Sequence, residues 1–435
     1  MKRIARTSRL AAYHAAFSAS MQALDLETAP RFITALSGGP DSTALACLAD
    51  LYARSHCKDH EAIIVNHNIR PDAANEAERV RQRMKNRAIA SQIITIHDKA
   101  PESGMQEWAR YQRFAALTKL ARQNGAVVLV AHHRADQAET ILMRLSHGSG
   151  VVGLAGMRGL ATRDAVMIAR PILDWHPNSL VDVLGLLGCD YENDMSNHNS
   201  QFERVQMREF LRAASVPGST GTDDALRLGR VMRALTNYLD SASATQWQAA
   251  TCLSPSGHAV IDINKLSDLP QLAWVYRVRQ LIRQIGGRPY GVSELAAIAL
   301  HKRLLAGRNS TLGGCQFVKS LRRGKLACFY VVREIGRQSE ALDVLADDDV
   351  IFAGCWRVRT RKAGKLLNAG ALAKSDEVAA SKAWPADIAN LPFIVRRAIP
   401  VMVTLDGAVF YPHLEKVNSK IAFQNKTFSA HFLAR

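Results

Sequence analysis

Short apolar runs alternate with longer amphipathic stretches over the first 190 residues of the chain. The apolar runs predict four strands, at residues 32–36, 62–65, 93–96 and 126–131. Helices are predicted between them, including one over 75–90 and one over 105–123. This alternation is typical of βαβ units, in which a parallel sheet is buried on both faces. Ligands of such sheets bind at the carboxyl ends of the strands, so polar residues that follow a strand are the first candidates for a site.

The pattern changes after a Ser-, Gly- and Thr-rich stretch at 215–222, which we interpret as a linker. Residues 224–306 are mostly helical in pattern, and short strands follow from 311 to 333. Near the end of the chain, Asp406-Gly407 lies between two apolar runs, which predicts a hairpin. We therefore predict a doubly wound, parallel-sheet α/β domain over 1–220, a mainly helical domain over 221–340 and a small α+β domain over 341–435.

Charge is distributed unevenly between the two halves of the chain. Lys and Arg number 56 against 39 Asp and Glu, a net charge of +17. Residues 221–435 hold 30 of these basic residues and 17 of the acidic ones. Such an excess predicts a polyanionic partner, either nucleic acid or an anionic membrane surface, although it could also serve solubility alone.

No apolar stretch is long enough to span a bilayer, and the basic N-terminus is not followed by the apolar run of a secretory signal. The seven cysteines are scattered, with no C-x-x-C pair, which excludes the usual zinc-ribbon, thioredoxin and clustered iron–sulfur spacings. We therefore expect a cytoplasmic protein with reduced thiols and no membrane partner.

The sharpest motif joins the first strand to the next helix and reads Ser37-Gly38-Gly39-Pro40-Asp41-Ser42. Its glycines allow a tight turn that directs backbone N–H groups to an anion, and the helix N-terminus adds partial positive charge. No lysine follows, so the Walker A pattern is absent. Asp41 would repel a bare phosphate, and a Mg²⁺ ion between Asp41 and phosphate oxygens resolves that conflict. The alternative is an ordinary strand–helix turn.

A second polar group follows the fourth strand, over residues 131–140. On a helix through this segment, Asp136, Glu139 and Thr140 share one face. Two carboxylates there are suited to Mg²⁺ or to the amine of a substrate. The histidine pair that ends in His133 could bind a metal, but the H-E-x-x-H spacing is absent, and helix capping or core packing explains the pair equally well.

The loop resembles that of the PP-loop ATP pyrophosphatases, which cleave ATP between its α- and β-phosphates. The resemblance narrows to the tRNA(Ile)-lysidine synthetase family through six further motifs, in order over residues 32–212. These are Asn66-His67-Asn68-Ile69-Arg70, 107–114, 132–140, 142–157, Ala169-Arg170-Pro171-Ile172-Leu173, and Asp194-Met195-Ser196-Asn197 with Arg204 and Arg208. Residues 391–400 are similar to a segment of the family's last domain. The chain departs from the family's usual Asp, Arg and Asn at Ala135, His147 and Val205.

This resemblance implies a ligase that forms a carbon–nitrogen bond. ATP would bind at residues 37–42 with Mg²⁺, and the carbon-2 oxygen of the wobble cytidine of a CAU-anticodon tRNA(Ile) would attack its α-phosphorus. The ε-amine of free L-lysine would then attack carbon 2 of the adenylated cytidine. Lysidine, AMP and pyrophosphate would be the products. Adenylation converts a poor leaving oxygen into a good one.

The resemblance also implies roles for individual side chains. Asp41 would bind the metal, Asp136 and Glu139 would hold the lysine or a metal, and His133 would contact the nucleotide or move a proton. These assignments leave open which of the two roles each of the last three residues has.

Two arginines lie one turn apart on the helix predicted over 105–123. Arg110 and Arg113 would stabilise the negative charge that develops on the α-phosphate. The alternative is that they are salt-bridged surface residues. The basic C-terminal half would bind the tRNA backbone, chiefly through two clusters, Arg322-Arg323-Lys325 and Arg357-Arg359-Arg361-Lys362.

The glycines at 148–153 also spell G-x-G-x-x-G. A dinucleotide fingerprint follows a strand and opens a helix, whereas this string follows a predicted helix. We therefore interpret it as a flexible loop beside the site that admits or covers a substrate.

Two alternative functions stay open at this point. Another PP-loop tRNA-modifying enzyme, such as a thiolase, would need a catalytic cysteine, and no cysteine falls in a motif tied to the site. A non-catalytic RNA-binding protein with a degenerate loop is the other, against which the intact loop argues. The sequence leaves open the oligomeric state, a homodimer included, and the means of rejecting a methionine tRNA with the same anticodon.

Overall fold

A computed structural model describes residues 2–69, 71–101, 103–192, 203–214, 220–287, 291–322, 325–335, 341–372, 391–411, 413–414 and 428–432. The chain divides into two compact units, Met1–Arg233 and Ala234–Arg435. No helix of the described residues is both long and apolar enough to cross a lipid bilayer. The three domains drawn from the sequence pattern, with limits at 220 and 340, stay a prediction.

The N-terminal unit is built on a six-stranded sheet. Its strands are β1 (Arg31–Leu36), β2 (Asp59–Asn66), β3 (Ser91–Thr95), β4 (Val127–Leu129), β5 (Leu160–Arg163) and β6 (Val166–Ala169). They are arranged in the order β3-β2-β1-β4-β6-β5, with parallel pairing throughout except between β5 and β6. This confirms the predicted parallel sheet and its first four strands. The β5–β6 hairpin was not predicted, because its four-residue strands are too short to show a period.

Helices pack on both faces of this sheet, with α1 (Lys2–Ala23), α2 (Pro40–Ser55), α3 (Ala73–Lys85) and α7 (Pro177–Leu187) on one face and α4 (Met105–Asn124) on the other. The other helices of this part of the chain are α5 (Arg134–Ser146), α6 (Val151–Leu154), α8 (Glu203–Ala213) and α9 (Gly221–Ala250), and residues 234–250 of α9 belong to the second unit. Phe32 and Leu36 of β1 face the core formed with α1, α2, α3 and α7. Ile33, between them, faces the core formed with α4. Successive residues of one strand thus serve two cores, which is why β1 is a continuous apolar run.

A third, smaller core positions α5. Ala138 of α5, Leu211 of α8 and Ala225 of α9 are buried against one another. Part of the predicted linker belongs to this assembly, since Thr220 Oγ1 accepts a hydrogen bond from the backbone N of Asp223 at 3.1 Å, at the start of α9. The preceding residues 215–219 lie outside the described residues.

The C-terminal unit combines helices with three small sheets. Its further helices are α10 (Gln271–Gly286), α11 (Glu294–Leu305), α12 (Ala369–Leu372) and α13 (Phe393–Arg396), with a 3-10 turn at Ile263–Leu266. The first sheet contains β7 (Thr251–Ser254), β8 (His258–Ile261), β9 (Ser310–Leu312), β10 (Cys315–Arg322) and β11 (Lys325–Arg333). The second contains β12 (Ala341–Val344), β15 (Gly364–Asn368), β16 (Pro400–Thr404) and β17 (Val409–Phe410). The third contains β13 (Asp349–Phe352), β14 (Trp356–Thr360), β18 (His413–Leu414) and β19 (Phe428–Phe432).

The hairpin predicted at Asp406-Gly407 and the short strands predicted over 311–333 are confirmed. β10 pairs with β11, and β16 pairs with β17 around Asp406-Gly407. There the backbone N of Gly407 donates to the carbonyl of Thr404 at 2.9 Å. The middle of the chain is largely helical, as predicted, but the β7–β8 hairpin falls inside the stretch whose pattern indicated helix. Four-residue strands again escaped detection.

Two glycines bring distant backbone segments of this unit into contact. A Cβ atom at Gly354, where φ is +68°, would lie 2.3 Å from the carbonyl oxygen of Gly287. A Cβ atom at Gly257 would lie 2.4 Å from Cζ2 of Trp356, whose ring meets Phe432 at 5.4 Å. The segments after α10 and before β14 are therefore joined at distances that only glycine allows.

We predict that Gly354→Ala lowers the free energy of unfolding of the C-terminal unit by about 3 kcal/mol, because a left-handed alanine is strained and its Cβ meets backbone. Gly407→Ala is the matched control. Its φ is +80° but nothing lies within 4 Å, so the cost should be about 1 kcal/mol. Urea unfolding measures both, and equal losses would contradict the close approach of residues 354 and 287.

Candidate active site

The loop between β1 and α2 depends on a glycine. Gly38 has a φ of +90°, in the region that side chains disfavour. A Cβ atom at this position would also lie 2.6 Å from Cγ2 of Val80 on α3. Both the backbone conformation and the available space therefore require glycine.

Hydroxyl groups fix the shape of this loop from within. Ser42 Oγ accepts a hydrogen bond from the backbone N of Ser37 at 3.2 Å and donates to the carbonyl of Gly39 at 3.1 Å. Thr43 Oγ1 donates to the carbonyl of Gly38 at 3.3 Å. No side chain caps α2 at Gly39, so no side-chain acceptor occupies the amides of its first turn. An uncapped helix start behind a rigid glycine turn fits a phosphate group.

His133 connects this loop to α5. As the N-cap residue of α5, its Nδ1 accepts from the backbone N of Ala135 at 3.2 Å and of Asp136 at 3.5 Å. Asp136 Oδ2 accepts in return from the backbone N of His133 at 3.0 Å. Because Nδ1 is an acceptor in this network, the ring proton is assigned to Nε2. Nε2 lies 3.5 Å from Oδ2 of Asp41.

The carboxylates around His133 set its protonation. Burial by itself would lower the pKa of His133, but the hydrogen bond to Asp41 and the charges of Asp136 and Glu139 outweigh burial and raise that pKa. The raised pKa makes a second proton on this ring easier to gain than on a free histidine as the pH falls. That proton would occupy Nδ1 and end its role as the acceptor that caps α5.

An ion pair between a buried carboxylate and a partly exposed arginine lies next along α5. Glu139 is fully buried, and Nε of Arg208 on α8 donates to its Oε1 at 2.8 Å. The hydrogen bond to Glu139 raises the pKa of Arg208, with smaller contributions from the charges of Asp136 and Asp41. Within the described residues, Oε2 of Glu139 has no hydrogen-bond partner. A buried carboxylate oxygen with no donor is suited to receive one from a bound amine.

The structure thus brings four of the predicted catalytic residues into one group, Asp41, His133, Asp136 and Glu139. This group lies at the carboxyl edge of β1 and β4, where the parallel sheet predicts a ligand. Sequence reasoning quoted Arg208 as a motif residue but did not connect it to Glu139. The predicted motif at Asp194-Met195-Ser196-Asn197, Arg70 and the side chain of Arg204 lie outside the described residues.

The two predicted arginines lie on α4, which packs on the face of the sheet opposite α2. The Cζ atoms of Arg110 and Arg113 lie 5.2 and 5.7 Å from the ring centroid of Phe114 on α4. Burial, and then the charge of Arg113, lower the pKa of His67, which directly follows β2. Both arginines thus contact Phe114, and Arg113 is near enough to His67 to affect its pKa.

Side chains of α5 also hold the glycine-rich segment that follows it. Gln137 donates to the carbonyl of Met157 at 2.9 Å and accepts from its backbone N at 2.7 Å. Arg144 Nη1 donates to the carbonyls of Gly153 at 2.9 Å and Gly156 at 2.8 Å. The segment follows a helix and contains α6, so the dinucleotide fingerprint is correctly rejected. Sequence reasoning missed these two anchors, although their spacing of two helical turns on one face of α5 was a signal.

Metal ligands are sparse at this edge. Within the described residues, no group of three or more His, Cys, Asp or Glu side chains converges to hold an ion. Asp41 and Asp136 instead flank His133. A Mg²⁺ ion beside Asp41 would need phosphate oxygens or water for most of its ligands, which is how Mg²⁺ is commonly held with nucleotides.

One of the predicted tRNA-binding clusters is partly neutralised. Arg357 Nη2 lies 2.6 Å and Arg359 Nε 3.3 Å from Oδ2 of Asp349, across the β13–β14 pair. The role of this cluster in binding the tRNA backbone stays a prediction. The side chains of the other cluster, Arg322-Arg323-Lys325, lie outside the described residues.

Comparisons with known proteins agree with this geometry. The PP-loop domain family matches residues 12–214. A tRNA(Ile)-lysidine synthase of Bradyrhizobium diazoefficiens is 35% identical over 48% of this chain and 59% of that protein. One of Novosphingobium aromaticivorans is 33% identical over 68% of this chain and 88% of that protein. A U34-tRNA thiolase structure from Methanococcus maripaludis aligns with a TM-score of 0.41 and 15% identity over 47% of this chain and 72% of that one.

The length of these matches varies. The chain spans under two thirds of the Bradyrhizobium enzyme and of a Rhodopseudomonas palustris relative, of which it covers 57%. It spans most of the Novosphingobium enzyme and 77% of a Hyphomonas neptunium enzyme at 34% identity. A PP-loop domain implies ATP binding. The chain belongs to the tRNA(Ile)-lysidine synthase family.

Proposed function

We propose that this chain joins free L-lysine to carbon 2 of the wobble cytidine of a CAU-anticodon tRNA(Ile), with ATP and Mg²⁺. An adenylated cytidine is the intermediate, and AMP and pyrophosphate are released. The observation that carries this proposal is the contact of the phosphate-binding loop with a carboxylate-rich helix through His133. One site then holds an anionic nucleotide and a cationic amine side by side.

ATP would be held by residues 37–42. The uncapped first turn of α2 and the turn at Gly38 suit its phosphates. Mg²⁺, bound beside Asp41, would neutralise part of the phosphate charge and so favour attack at the α-phosphorus. The geometry of His133 keeps Asp41 beside α5 and keeps a proton on Nε2 facing that carboxylate.

Lysine would be held by the carboxylates of α5. Asp136 is partly exposed, with 17% of its side-chain surface accessible, and can attract the amine at the entrance. Glu139 is fully buried and already paired on one oxygen with Arg208, which leaves Oε2 for a donor. A partly exposed carboxylate and a buried one that is already paired on one oxygen favour lysine over a metal as the ligand of Asp136 and Glu139.

Two further groups complete the proposal. Arg110 and Arg113 of α4 would stabilise the charge that develops on the α-phosphate. The basic excess of the C-terminal half would bind the tRNA backbone, so binding should weaken steeply with salt.

The activity is tested by incorporating radiolabelled lysine into tRNA(Ile) bearing CAU, with ATP and Mg²⁺. The expected result is ATP-dependent label in this tRNA and none in a methionine tRNA with the same anticodon. Release of AMP and pyrophosphate without labelled lysine in the tRNA would support the adenylation step and would contradict lysine as the nucleophile.

Asp41→Ala should reduce turnover by at least about a thousandfold, because it removes the carboxylate that would bind Mg²⁺ beside the phosphates, while tRNA binding survives. Asp59→Ala is the control, since Asp59 is exposed at the amino end of β2, on the opposite edge of the sheet. Steady-state kinetics and filter binding measure the two properties. Loss of tRNA binding in Asp41→Ala would contradict the placement of Asp41.

Arg208→Met should lower the free energy of unfolding by about 2 kcal/mol, since it leaves the buried Glu139 charged and unpaired. Adding Glu139→Gln to this variant should recover most of the loss. Arg81→Met, which breaks an exposed pair with Glu78, serves as the control and should leave the urea midpoint unchanged. An unchanged free energy of unfolding in Arg208→Met would show that the folded state does not depend on the pairing of Glu139 with Arg208.

A further inference from the structure

One short helix of the C-terminal unit leaves a large aromatic side chain outside the core. Helix α13 (Phe393–Arg396) is anchored from below, since Val395 and, just beyond the helix, Ile399 are fully buried. Phe393, on the same turn, keeps 66% of its surface exposed. The exposure of this ring therefore follows from its position on an anchored turn.

Two arginines lie against the ring of Phe393. Arg396 and Arg397 follow it by three and four positions, which places all three side chains on one side of a helical turn. The Cζ atoms of the two arginines lie 6.0 and 5.7 Å from the centroid of the ring, within the range of a cation–π contact. Because the ring stays largely exposed, the guanidinium groups leave part of it open to a ligand.

The neighbouring helix α12 holds Arg397 in place. The backbone N of Gly370 donates to the carbonyl of Arg397 at 2.9 Å. A Cβ atom at Gly370 would lie 3.0 Å from Nε of Arg397, so this side chain passes close to the backbone of α12. A cation that is positioned before a ligand arrives lowers the entropic cost of binding.

The charge around α13 favours a polyanion. Residues 361–372 and 391–411, which form this helix and the strands beside it, contain one acidic residue, Asp406. Their five basic residues are Arg361, Lys362, Lys365, Arg396 and Arg397. Asp406 lies in the turn after β16, at the end of that strand opposite α13. An exposed ring in such a setting suits RNA, which offers a base to stack on the ring and phosphates for the cations.

We propose that Phe393 stacks on an unpaired base of the tRNA, and that Arg396 and Arg397 bind the adjoining phosphates. The inference deepens the proposed function and rests on it, since tRNA is the substrate there. A base inside a duplex has both faces covered by its neighbours, so only an unpaired nucleotide offers a free face to the ring.

An anionic membrane surface is the other partner that a basic surface with an exposed ring could meet. The two arginines favour RNA, because a ring that enters lipid would carry two guanidinium groups away from water with it. In RNA the same two groups meet phosphates.

The first test is the binding of CAU-bearing tRNA(Ile) by the full chain and its Phe393 variants. Phe393→Ala and Phe393→Leu should each raise the dissociation constant about tenfold, because both lose the stacking ring. Phe393→Trp should bind at least as tightly as the wild type, because it keeps an aromatic ring. Leu405→Ala is the matched control, since Leu405 follows β16, is 90% exposed and has no ring. Wild-type affinity in Phe393→Leu would overturn the stacking.

The second test identifies the kind of nucleotide that is bound. Phe393→Ala should weaken the binding of a short unstructured oligoribonucleotide about tenfold and leave the binding of a blunt duplex RNA unchanged. Equal losses on both RNAs would overturn the assignment to an unpaired base. Unchanged binding of both RNAs, with loss of binding to phosphatidylserine vesicles, would overturn RNA as the occupant.

The arginines are tested by the salt dependence of tRNA binding. In Arg397→Gln, the slope of log association constant against log salt concentration should fall by about one, because one phosphate contact is lost. The slope should not change in Phe393→Ala, since stacking on a base releases no counterions. Arg81→Gln, which removes an exposed arginine paired with Glu78 on α3, is the control. An unchanged slope in Arg397→Gln would overturn the phosphate contact.

Lysine incorporation separates this inference from the proposed function. Phe393→Ala should raise the KM for tRNA about tenfold and leave kcat unchanged, because it removes binding that is equal in the ground state and the transition state. A lower kcat with an unchanged KM would contradict a role in tRNA binding. RNA binding that depends on Phe393 in a wild-type protein that incorporates no lysine would count against the ligase function and leave the stacking site intact.

Discussion

The bridge from Asp41 through His133 to the start of α5 is the interaction on which the site depends. One ring contacts the loop carboxylate with Nε2 and caps α5 with Nδ1, so the two motifs cannot move independently. A different residue at this position could cap the helix or face Asp41, but the two nitrogens of histidine do both. The capping explanation for this histidine and the functional one are therefore both correct, because the cap is what places the ring.

The rest of the N-terminal unit supports that bridge. The parallel sheet brings the ends of β1 and β4 side by side, and α8 supplies Arg208 to the buried Glu139. Gln137 and Arg144 use another face of α5 to hold the glycine-rich segment in place. Four hydrogen bonds from two side chains hold the backbone of this segment beside α5 at Gly153, Gly156 and Met157, and its role as a flexible cover stays a prediction. One face of helix α5 thus carries the carboxylates of the site, and another binds the glycine-rich segment.

Sequence reasoning predicted the features that local chemistry determines. Strands β1 to β4, the loop at Gly38 and the carboxylate face of α5 follow from periodicity and residue type. Features that depend on long-range contacts did not follow. The Glu139–Arg208 pair joins elements far apart in the chain, and no local pattern marks it. The short hairpins at β5–β6 and β7–β8 were missed because four residues show too little of a period.

The central claim is that this site activates RNA with the α-phosphate of ATP. The most direct measurement is the fate of ATP labelled at its α-phosphate, incubated with CAU-bearing tRNA(Ile) and Mg²⁺ but without lysine. The account predicts labelled AMP attached to the tRNA or released from it, together with pyrophosphate and no ADP. Labelled ADP as the product would mean attack at the γ-phosphate, and it would contradict the assignment of the loop and of the whole site built around it.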